Sequence, residues 1–582
     1  MVYSKEPLQR ELGVISRFSG KNYKAFDSFD LDLKPLTILL GANSSGKSAL
    51  INSLLMLSQS ADSSAISESP LRLNGNKTGM GETLNIIKDK NPLNKLSFTF
   101  EFDSKDSLRK NLAQAKSNIV QSYETIPRWM AHSATINNVK SSTFSRQVSK
   151  IEELTETLSD PSKVSEFKKH YTKVVKTYRA IMPTERKLRA YPDGFINISE
   201  EASIQKIEDC MDAFLGVHLS RLIPAQVTYT FTYNKRKEVL VVSEYTQHNK
   251  FGNVIFSYKK EGNNISITSD VISSSILGRS RSEILKVLTL DSLQVASGVN
   301  IAGNSYGGLA CFQSSSSPVA SALGLFLNST SRHLLQNLAG LQVNHVSPLR
   351  AFPQRYYVLD KSIHHRKLNA LDGTELAEIL KNNPTIKDEI NILFSRFNIG
   401  IDVEKVNDII YKIVVNQNNV NLELTDVGFG ISQVLPILVQ AYLSPRNSLT
   451  IIEQPEIHLH PSMQAWLADA LISIALKSDK RFLVETHSDA LIRRIRLRIV
   501  DESSKLTEEQ VKIYYLHKDT IKKCTILDDI EINENGDVKW PKDFMDVEIK
   551  DSIEIQQLKY AKVHKDNKEQ NAQSADIEVR LQ

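Results

Sequence analysis

Residues 41–48, GANSSGKS, restrict the fold most, because their spacing GxxxxGK[ST] requires one local geometry. Residues 36–40 before them form an apolar run typical of a buried strand, and residues 49–55 after them have helical spacing. Where a strand, a glycine loop and a helix follow in this order, backbone N–H groups point at one anion. An ordinary glycine turn would not need both neighbours. The segment therefore predicts a phosphate-binding loop in an α/β fold.

This loop predicts a nucleotide with Mg²⁺ as its ligand. We expect Lys47 to reach the terminal phosphates and Ser48 to bind the metal ion. The predicted nucleotide-binding residues are Gly41, Asn43, Ser44, Ser45, Gly46, Lys47 and Ser48.

Length and composition indicate a soluble, intracellular protein of several units. About one domain per 150 residues predicts three or four units for 582 residues. Cys210, Cys311 and Cys524 are far apart in sequence, which argues against a zinc site or a disulfide framework and fits a reducing cytoplasm. No apolar run reaches the roughly 18 residues of a membrane span, and the charged N-terminus does not resemble a secretion signal. We expect a cytoplasmic protein without a membrane segment.

Changes of pattern along the chain predict its organisation. Alternating runs such as residues 96–102 and 239–245 predict strands, whereas residues 103–216 have few glycines and helical character. The predicted units are an N-terminal lobe with the phosphate loop at 1–104, a helical basic insertion at 105–220, a β-rich and Ser-rich insertion at 221–340, a C-terminal lobe at 341–530 and a tail at 531–582. The polar end of the tail is predicted to be disordered.

Two later strands are predicted to end in polar residues beside the phosphate loop. Residues 449–452 have strand character and lead to Glu453, which we expect to hold Mg²⁺ directly or through water. Residues 481–484 form a second such run and are followed by Glu485, Thr486, His487 and Ser488. His487 would then lie at the same edge of the sheet, near the γ-phosphate or a water molecule. A structural role is the alternative for either residue.

A second anion-binding helix start is predicted at residues 424–433, LTDVGFGISQ, ahead of the apolar helix 434–442. A single nucleotide site does not need two anion-binding helix N-termini. We expect the second N-terminus to complete the nucleotide site of another subunit.

The order of these motifs resembles the ABC-type ATPase heads of the SMC, RecF and OLD-like group. The segment IIEQPEIHLHP at 451–461 and ETHS at 485–488 are most similar to bacterial AAA-family ATPases with EQPE followed by HLHP. The segment Ser347 to Arg350, the pair Arg355–Tyr356 and residues 536–544 also suit that group. The resemblance covers about residues 10–104 and 340–545. It implies an α/β phosphate-loop ATPase head with a mixed sheet, split by a helical and a β insertion.

The same resemblance implies ATP and Mg²⁺ as ligands and a dimer that encloses two ATP molecules. Each site would combine one subunit's phosphate loop with the other subunit's signature segment. That segment comprises Asp426, Gly428, Gly430, Ser432 and Gln433, with Gly430 and Ser432 acting in trans. Gln59 is implied as a Q-loop residue on the metal. Similar heads serve DNA repair and anti-phage defence, including the Septu and retron-associated ATPases.

One departure from that group concerns the rate of hydrolysis. Most ABC heads have Asp-Glu at the strand end, where this chain has Glu453 and Gln454. An amide cannot accept the proton of water, and loss of a positioned base costs on the order of 10² to 10⁴ in rate. Glu456, three residues on, is the alternative base. We therefore expect slow turnover, with Glu453, Gln454, Glu456 and His487 as the candidate catalytic residues.

A basic segment indicates a possible nucleic-acid partner. Residues 163–189 contain nine Lys or Arg against two acids, and their helical spacing separates aromatic residues from Lys169, Lys173 and Lys176. Such a face suits phosphate contacts, although a solvated helix face has the same pattern. The residues after Ser488 do not have the pattern of a nuclease module, so cutting would require a separate effector protein, a nuclease or a toxin.

Two functions remain open at this point. The first is an ATPase whose dimerisation or higher assembly gates nucleic-acid binding, as a clamp or switch. The second is a nucleotide-bound scaffold that holds or inhibits an effector, with incidental hydrolysis. The intact GKS and His487 favour the first, and Gln454 favours the second.

Overall fold

The computed structural model describes residues 15–62, 69–103, 107–137, 142–158, 160–181, 204–296, 317–350, 352–358, 375–540 and 553–560. The end of the predicted tail, after residue 560, and the Ser-rich residues 297–316 lie outside the described residues. Within the described ranges, no helix is both long enough and apolar enough to cross a bilayer.

The described strands and helices come mostly in runs along the chain. The strands are β1 (Ile15–Tyr23), β2 (Phe26–Asp32), β3 (Leu36–Gly41), β4 (Leu96–Phe102), β5 (Pro224–Asn234), β6 (Val239–Asn249), β7 (Val254–Glu261), β8 (Asn264–Thr268), β9 (Val343–Val346), β10 (Tyr357–Val358), β11 (Ile399–Lys405), β12 (Ile410–Gln417), β13 (Val420–Glu423), β14 (Leu449–Glu453), β15 (Arg481–Glu485), β16 (Val511–Asp519) and β17 (Cys524–Ile530). The helices are α1 (Lys47–Ala61), α2 (Ser107–Ile136), α3 (Ser142–Thr155), α4 (Val164–Ile181), α5 (Ile204–Cys210), α6 (Leu219–Leu222), α7 (Ser274–Val287), α8 (Pro318–Leu338), α9 (Leu376–Asn382), α10 (Pro384–Phe394), α11 (Phe429–Leu443), α12 (Pro461–Ser478) and α13 (Asp489–Val500), with a further helical turn at 553–560.

A six-stranded sheet in the order β17-β16-β3-β15-β14-β9 carries the phosphate loop. Its strands pair in parallel, apart from the antiparallel pair of β16 and β17. All six residues of β3 are buried, because the sheet is covered on both faces. The carboxyl ends of β3, β15 and β14 therefore meet at one edge, where ligands bind in open α/β sheets.

The alternation of β3, β14 and β15 divides their side chains between two apolar cores. Leu39, Ile451 and Leu483 face a core that also contains α1, α8 and the antiparallel sheet. Ile38, Ile452 and their neighbours face a core formed with α11 and α12. The phosphate loop is thus supported from both sides of its own strand.

A seven-stranded antiparallel sheet in the order β2-β1-β4-β5-β6-β7-β8 packs beside this parallel sheet. The strands predicted at 96–102 and 239–245 are confirmed within β4 and β6. Because β5 pairs with β4 from Leu96–Phe231 to Glu101–Gln226, residues 224–268 extend the sheet of the N-terminal lobe. The strands of the predicted β-rich insertion therefore belong to the same sheet as those of the predicted N-terminal lobe. A small sheet, β10-β12-β11 with β13 on β12, lies in the C-terminal lobe.

The helical insertion forms its own packed layer. α2, α3 and α4 bury Phe144, Phe167 and Tyr171 between them. The long helix α8, which is buried over most of its length, contacts α1, α2 and α7 and so joins the insertion to the head. The predicted α/β fold class, with an insertion inside the head, is confirmed.

Candidate functional site

The glycines of the phosphate loop have backbone conformations that other residues rarely adopt. Gly41 has φ 145° and Gly46, which begins α1, has φ 109°. A Cβ on Gly41 would lie 2.3 Å from the carbonyl oxygen of Leu516 on β16. The loop can therefore turn from β3 into α1 only with glycine at these positions.

Neighbouring elements hold the loop in place. The Tyr23 hydroxyl donates to the Ala49 carbonyl at 3.0 Å, and the Thr525 hydroxyl donates to the Ser45 carbonyl at 3.0 Å. Ser48 is exposed at the start of α1, together with the exposed loop residues Asn43 and Ser44. The Ser45 hydroxyl is buried and has no hydrogen-bond partner. The loop thus exposes the hydrogen-bond donors of Asn43, Ser44 and Ser48 to solvent, while Tyr23 and Thr525 hold its backbone.

Lys47 is folded back under the loop. Its ammonium group donates to the carbonyls of Gly41 and Ala42 at 2.8 and 3.0 Å, and its side chain is only 4% exposed. Burial lowers the pKa of Lys47, against the opposing negative charges of Glu485 and Glu456. Lys47 Nζ lies 3.6 Å from Glu485 Oε1.

Glu485 and Glu453 lie next to each other at the tips of two adjacent strands. β15 separates β3 from β14, and the register pairs Glu453 directly with Glu485. The two carboxyl groups share a hydrogen bond. On the far side, His345 of β9 contacts Glu453 Oε1 through Nε2 at 2.6 Å. A continuous polar chain thus runs from Lys47 through Glu485 and Glu453 to His345.

The shifted pKa values of the two carboxyl groups reflect this arrangement. Burial, the hydrogen bond with Glu453 and the charge of that carboxylate raise the pKa of Glu485 to about 7, against the effect of Lys47. Burial also opposes the charge of Glu453, but the hydrogen bonds with His345 and Glu485 hold the pKa of Glu453 below its ordinary value. Two buried carboxyl groups in contact cannot both ionise at low cost, so Glu453 ionises first and Glu485 becomes charged only as the pH rises through about 7.

The turn after β14 is fixed through its backbone. Gln454 has φ 44°, and its N–H donates to the Glu485 carbonyl at 2.7 Å. The Arg350 guanidinium donates to the carbonyls of Glu453 and Gln454 at 3.1 Å each. Burial lowers the pKa of Arg350 to about 10, with Glu456 opposing, so Arg350 remains a cation at neutral pH. A strained turn held in this way sets the direction of the Glu453 side chain.

Glu456 joins this turn to the end of β15. Its carboxylate accepts from the Thr486 hydroxyl at 2.8 Å and from the His487 backbone N–H at 2.6 Å. Partial burial and the charge of Lys47 lower the pKa of His487, against the effect of Glu456, so the ring is neutral at pH 7. The four candidate catalytic residues, Glu453, Gln454, Glu456 and His487, therefore lie together at the carboxyl edge of the sheet.

The structure does not bring Gln59 to this edge. Gln59 lies in the last turn of α1, twelve residues after Lys47, or about 18 Å along the helix. It is fully buried, donates to the Arg72 carbonyl at 2.6 Å and accepts from the Thr78 N–H at 3.1 Å. Its role is to hold the segment 72–78 against α1, and the metal role implied for it is wrong for this conformation.

The signature segment forms the start of α11, but not all of its side chains are available. Gly428 is the N-cap and is exposed, whereas Ser432 and Gln433 are each only 3% exposed within the subunit. The carboxylate of Asp426 binds Arg355 at 3.1 Å, and this ion pair holds the signature segment beside the segment that contains Arg355. The expectation that the Ser432 side chain reaches another subunit is not supported by this burial.

The basic helix α4 has the two faces that its spacing predicts. Phe167, Tyr171, Val174 and Tyr178 are buried, while the predicted lysines are exposed on the other side. Those lysines are Lys169, Lys173 and Lys176. Two arginines of α13 make contacts within the fold: Arg498 binds Asp469 at 2.7 Å, and Arg496 donates to the Gly536 carbonyl at 2.6 Å.

Sequence reasoning missed Glu485, His345 and Arg350 as members of the site. Glu485 had a usable signal, since it ends an apolar strand directly before Thr486 and His487. His345 and Arg350 lie on and after the short strand β9, about 100 residues before Glu453 in sequence, and only the strand order brings them together.

A family model described as an AAA ATPase domain matches residues 14–205 and 354–492, more than half of the chain. The chain belongs to the AAA ATPase domain family. The matched segments contain the phosphate loop and residues 453–487, while His345 and Arg350 lie between them, outside the matched residues. The gap in the match also contains β5 to β8 and α8. No curated protein matches the chain significantly.

Several solved SMC heads are distantly similar. An SMC head bound to the C-winged helix domain of ScpA is 8% identical, with 89% of this chain and 98% of that chain covered and a TM-score of 0.35. The SMC head domain from Thermotoga maritima is 7% identical, with 89% and 99% covered and a TM-score of 0.31. An Smc head with an extended coiled coil, bound to the C-terminal domain of ScpA derived from Pyrococcus furiosus, is 9% identical, with 89% and 97% covered and a TM-score of 0.31.

Proposed function

We propose that this AAA ATPase domain protein binds ATP with Mg²⁺ at residues 41–48 and hydrolyses it slowly. One observation carries the proposal: the loop lysine Lys47 and the strand-tip carboxylate Glu453 are joined through Glu485 at a single edge of the parallel sheet. A phosphate loop and a metal-side carboxylate act on a common triphosphate only when they share such an edge.

The residues present fit the two ligands. The Ser45 hydroxyl is a buried polar atom without a partner in the loop, and a Cβ on Gly41 would clash with the backbone of β16. The exposed hydroxyl of Ser48 and the carboxylate of Glu453 are the hard oxygen donors that Mg²⁺ prefers, and we assign them to the metal. When bound, the metal ion supplies positive charge that neutralises the phosphates.

The chain's own groups account for slow turnover. Lys47 leaves the loop carbonyls to neutralise charge on the terminal phosphates, and the start of α1 adds partial positive charge. Gln454 orients water but cannot take its proton. Glu456 and the neutral His487 remain as groups that can hold that proton, with Glu456 already anchored by Thr486.

We further propose that ATP binding drives assembly of two or more subunits, and that the assembly acts as a clamp or switch for a separate effector protein in DNA metabolism or anti-phage defence. The exposed backbone of Gly428 and the resemblance to SMC, RecF and OLD-like heads support this proposal. A second function is favoured by Gln454, which suits a nucleotide-bound scaffold that retains ATP and holds its effector without turnover.

The first experiment measures binding of a fluorescent ATP analogue and release of phosphate in Lys47→Ala. We expect affinity and turnover to fall by about 100-fold, as loss of a strong charge-assisted interaction predicts. Lys405→Ala, at an exposed lysine of β11, is the matched control and should behave as wild type. Equal nucleotide binding by Lys47→Ala and wild type would exclude this site.

A second experiment separates the switch from the scaffold. Light scattering with ATP and Mg²⁺ should give at least twice the 65.5 kDa of one chain, and nucleotide-free protein should give a lower mass. Multiple-turnover phosphate release that rises with added DNA supports the switch. Retention of unhydrolysed ATP after gel filtration, with no stimulation, supports the scaffold.

A further inference from the structure

Lys47 has an acidic partner that a phosphate loop does not require. The Lys47 side chain is 4% exposed and that of Glu485 5% exposed, and their charged atoms are 3.6 Å apart. Burial of both groups removes the screening by water that weakens ion pairs on a surface. The ion pair with Glu485 therefore helps to hold the Lys47 ammonium group under the loop.

The sheet fixes the position of Glu485. β15 lies between β3 and β14, and the Glu485 carbonyl accepts from the Gln454 N–H at 2.7 Å. The carboxyl group also shares a hydrogen bond with Glu453. The sheet therefore fixes the backbone of Glu485 beside the phosphate loop.

We propose that Glu485 is a positioning residue, the resting counter-ion of Lys47, which competes with nucleotide phosphates for the loop lysine. The inference rests on the proposed ATP site. Lys47 cannot contact the phosphates while it remains under the loop, with the carbonyls of Gly41 and Ala42 and the carboxyl group of Glu485. Binding of a triphosphate thus has to break one ion pair to form another, which lowers affinity and makes the position of Lys47 depend on the ligand.

The test is the affinity of Glu485→Gln for a fluorescent ATP analogue, in EDTA and at about pH 8. Glutamine keeps the size of the side chain and a hydrogen bond to Glu453 but removes the negative charge. We expect binding about tenfold tighter than wild type, because Lys47 is released at lower cost. We also expect a lower melting temperature without nucleotide, since Lys47 loses its counter-ion. Glu378→Gln, at a buried glutamate of α9, is the matched control and should leave affinity unchanged.

The outcomes distinguish this inference from the proposed function. If wild type binds no ATP, the proposed function fails. If wild type binds ATP and folded Glu485→Gln binds with equal or weaker affinity, the counter-ion role is wrong while the ATP site stands. Damage to the fold does not imitate the expected result, because a loosened site loses affinity rather than gaining it. Glu485→Ala gives a second measurement, and it should also bind more tightly than wild type in EDTA.

Discussion

Gln454 follows Glu453 at the position where the proposed hydrolysis would require a proton acceptor. Its backbone is held at φ 44° by the Glu485 carbonyl and by Arg350, so the position is well defined. Its amide can donate to and accept from water but cannot hold a proton. Chemistry at this position, rather than geometry, is therefore expected to limit hydrolysis.

Gln454→Glu should accelerate single-turnover hydrolysis of bound ATP by at least tenfold, because it restores a carboxylate at that fixed position. Loss of a positioned base lowers the rate on the order of 10² to 10⁴-fold. The gain in rate will be smaller than this, because the new glutamate lies next to Glu453 and the two negative charges repel each other. The measurement is rapid-quench conversion of ATP at enzyme excess. If the rate stays flat and Glu456→Gln abolishes it, Glu456 is the base and the account of Gln454 is wrong.

At this scale the sequence predicted single residues better than their partners. Lys47, Glu453 and His487 could be placed at this edge of the sheet because each stands at a strand end or in a motif of fixed spacing. The pairing of Glu453 with Glu485 depends on β15 lying between β3 and β14, and sequence patterns do not give strand order. Gln59, which the resemblance implied as a Q-loop residue, lies away from the loop because α1 carries it to the far end of the helix.

Among the helices, α8 contains a histidine that gives the head a pH dependence. His333 is fully buried against the ring of Phe102 of β4, with ring centroids 5.3 Å apart, and its Nδ1 atom has no hydrogen-bond partner. Burial lowers the pKa of His333 to about 4, from an ordinary value of 6.5. Between pH 6.5 and pH 4, His333 therefore binds a proton in the unfolded chain but not in the folded chain.

The free energy of unfolding should consequently fall by about 3 kcal/mol between pH 6.5 and pH 4 through this group alone. Stability from neutral His333 is fully present above pH 6.5 and is lost as pH approaches 4. His333→Phe should remove that part of the slope, which urea denaturation midpoints of both proteins across this range will measure. Parallel profiles for the two folded proteins would contradict the assignment.

α5 and α7 of the insertion are joined by a bidentate ion pair. Arg279 donates from Nη2 and Nε to Asp209 at 2.7 and 2.8 Å, and the Asp209 side chain is 2% exposed while that of Arg279 is 46% exposed. Arg279→Ala leaves a buried carboxylate with Gln205 as its remaining donor. We expect a local loss of stability that is smaller than for a fully buried pair, because solvent screens the exposed guanidinium.

Hydrogen exchange of amides in α5 and α7 measures this loss, since local opening is reported there before global unfolding. The double variant Asp209→Asn with Arg279→Ala should recover part of the protection, because the orphaned charge is gone. Unchanged exchange in Arg279→Ala would mean that the pair is not stabilising.

The strands that were predicted could be found because alternation or a short apolar run is local information. β4, β14 and β15 match their predictions closely. The pairing of β4 with β5 joins residues more than 100 positions apart, and the local pattern of residues 224–234 does not indicate that they continue the N-terminal sheet.

On the scale of the whole molecule, charge is nearly balanced, with 72 basic and 67 acidic side chains. Attraction to a polyanion must therefore come from local faces. The helical insertion presents α4 at such a face, where its buried aromatic side fixes the helix and leaves the basic side in solvent. The head and the insertion share α8, so a ligand on α4 and a nucleotide at the loop act on connected elements.

Substitution of the α4 lysines tests whether this face binds nucleic acid. The triple variant Lys169→Gln, Lys173→Gln, Lys176→Gln should weaken DNA binding and reduce the slope of log affinity against log salt by about 2 to 3, since each phosphate contact contributes roughly 0.7 to 0.9. Fluorescence anisotropy of a labelled duplex and a labelled single strand at several salt concentrations gives that slope.

The control variant replaces Lys235, Lys237 and Lys250, which are exposed at or beside turns of the antiparallel sheet. It removes the same net charge elsewhere and should leave the slope nearly unchanged. Equal slopes for the two triple variants would mean that α4 is an ordinary solvated face and that net charge alone governs binding, because long-range attraction does not distinguish the two sets of lysines.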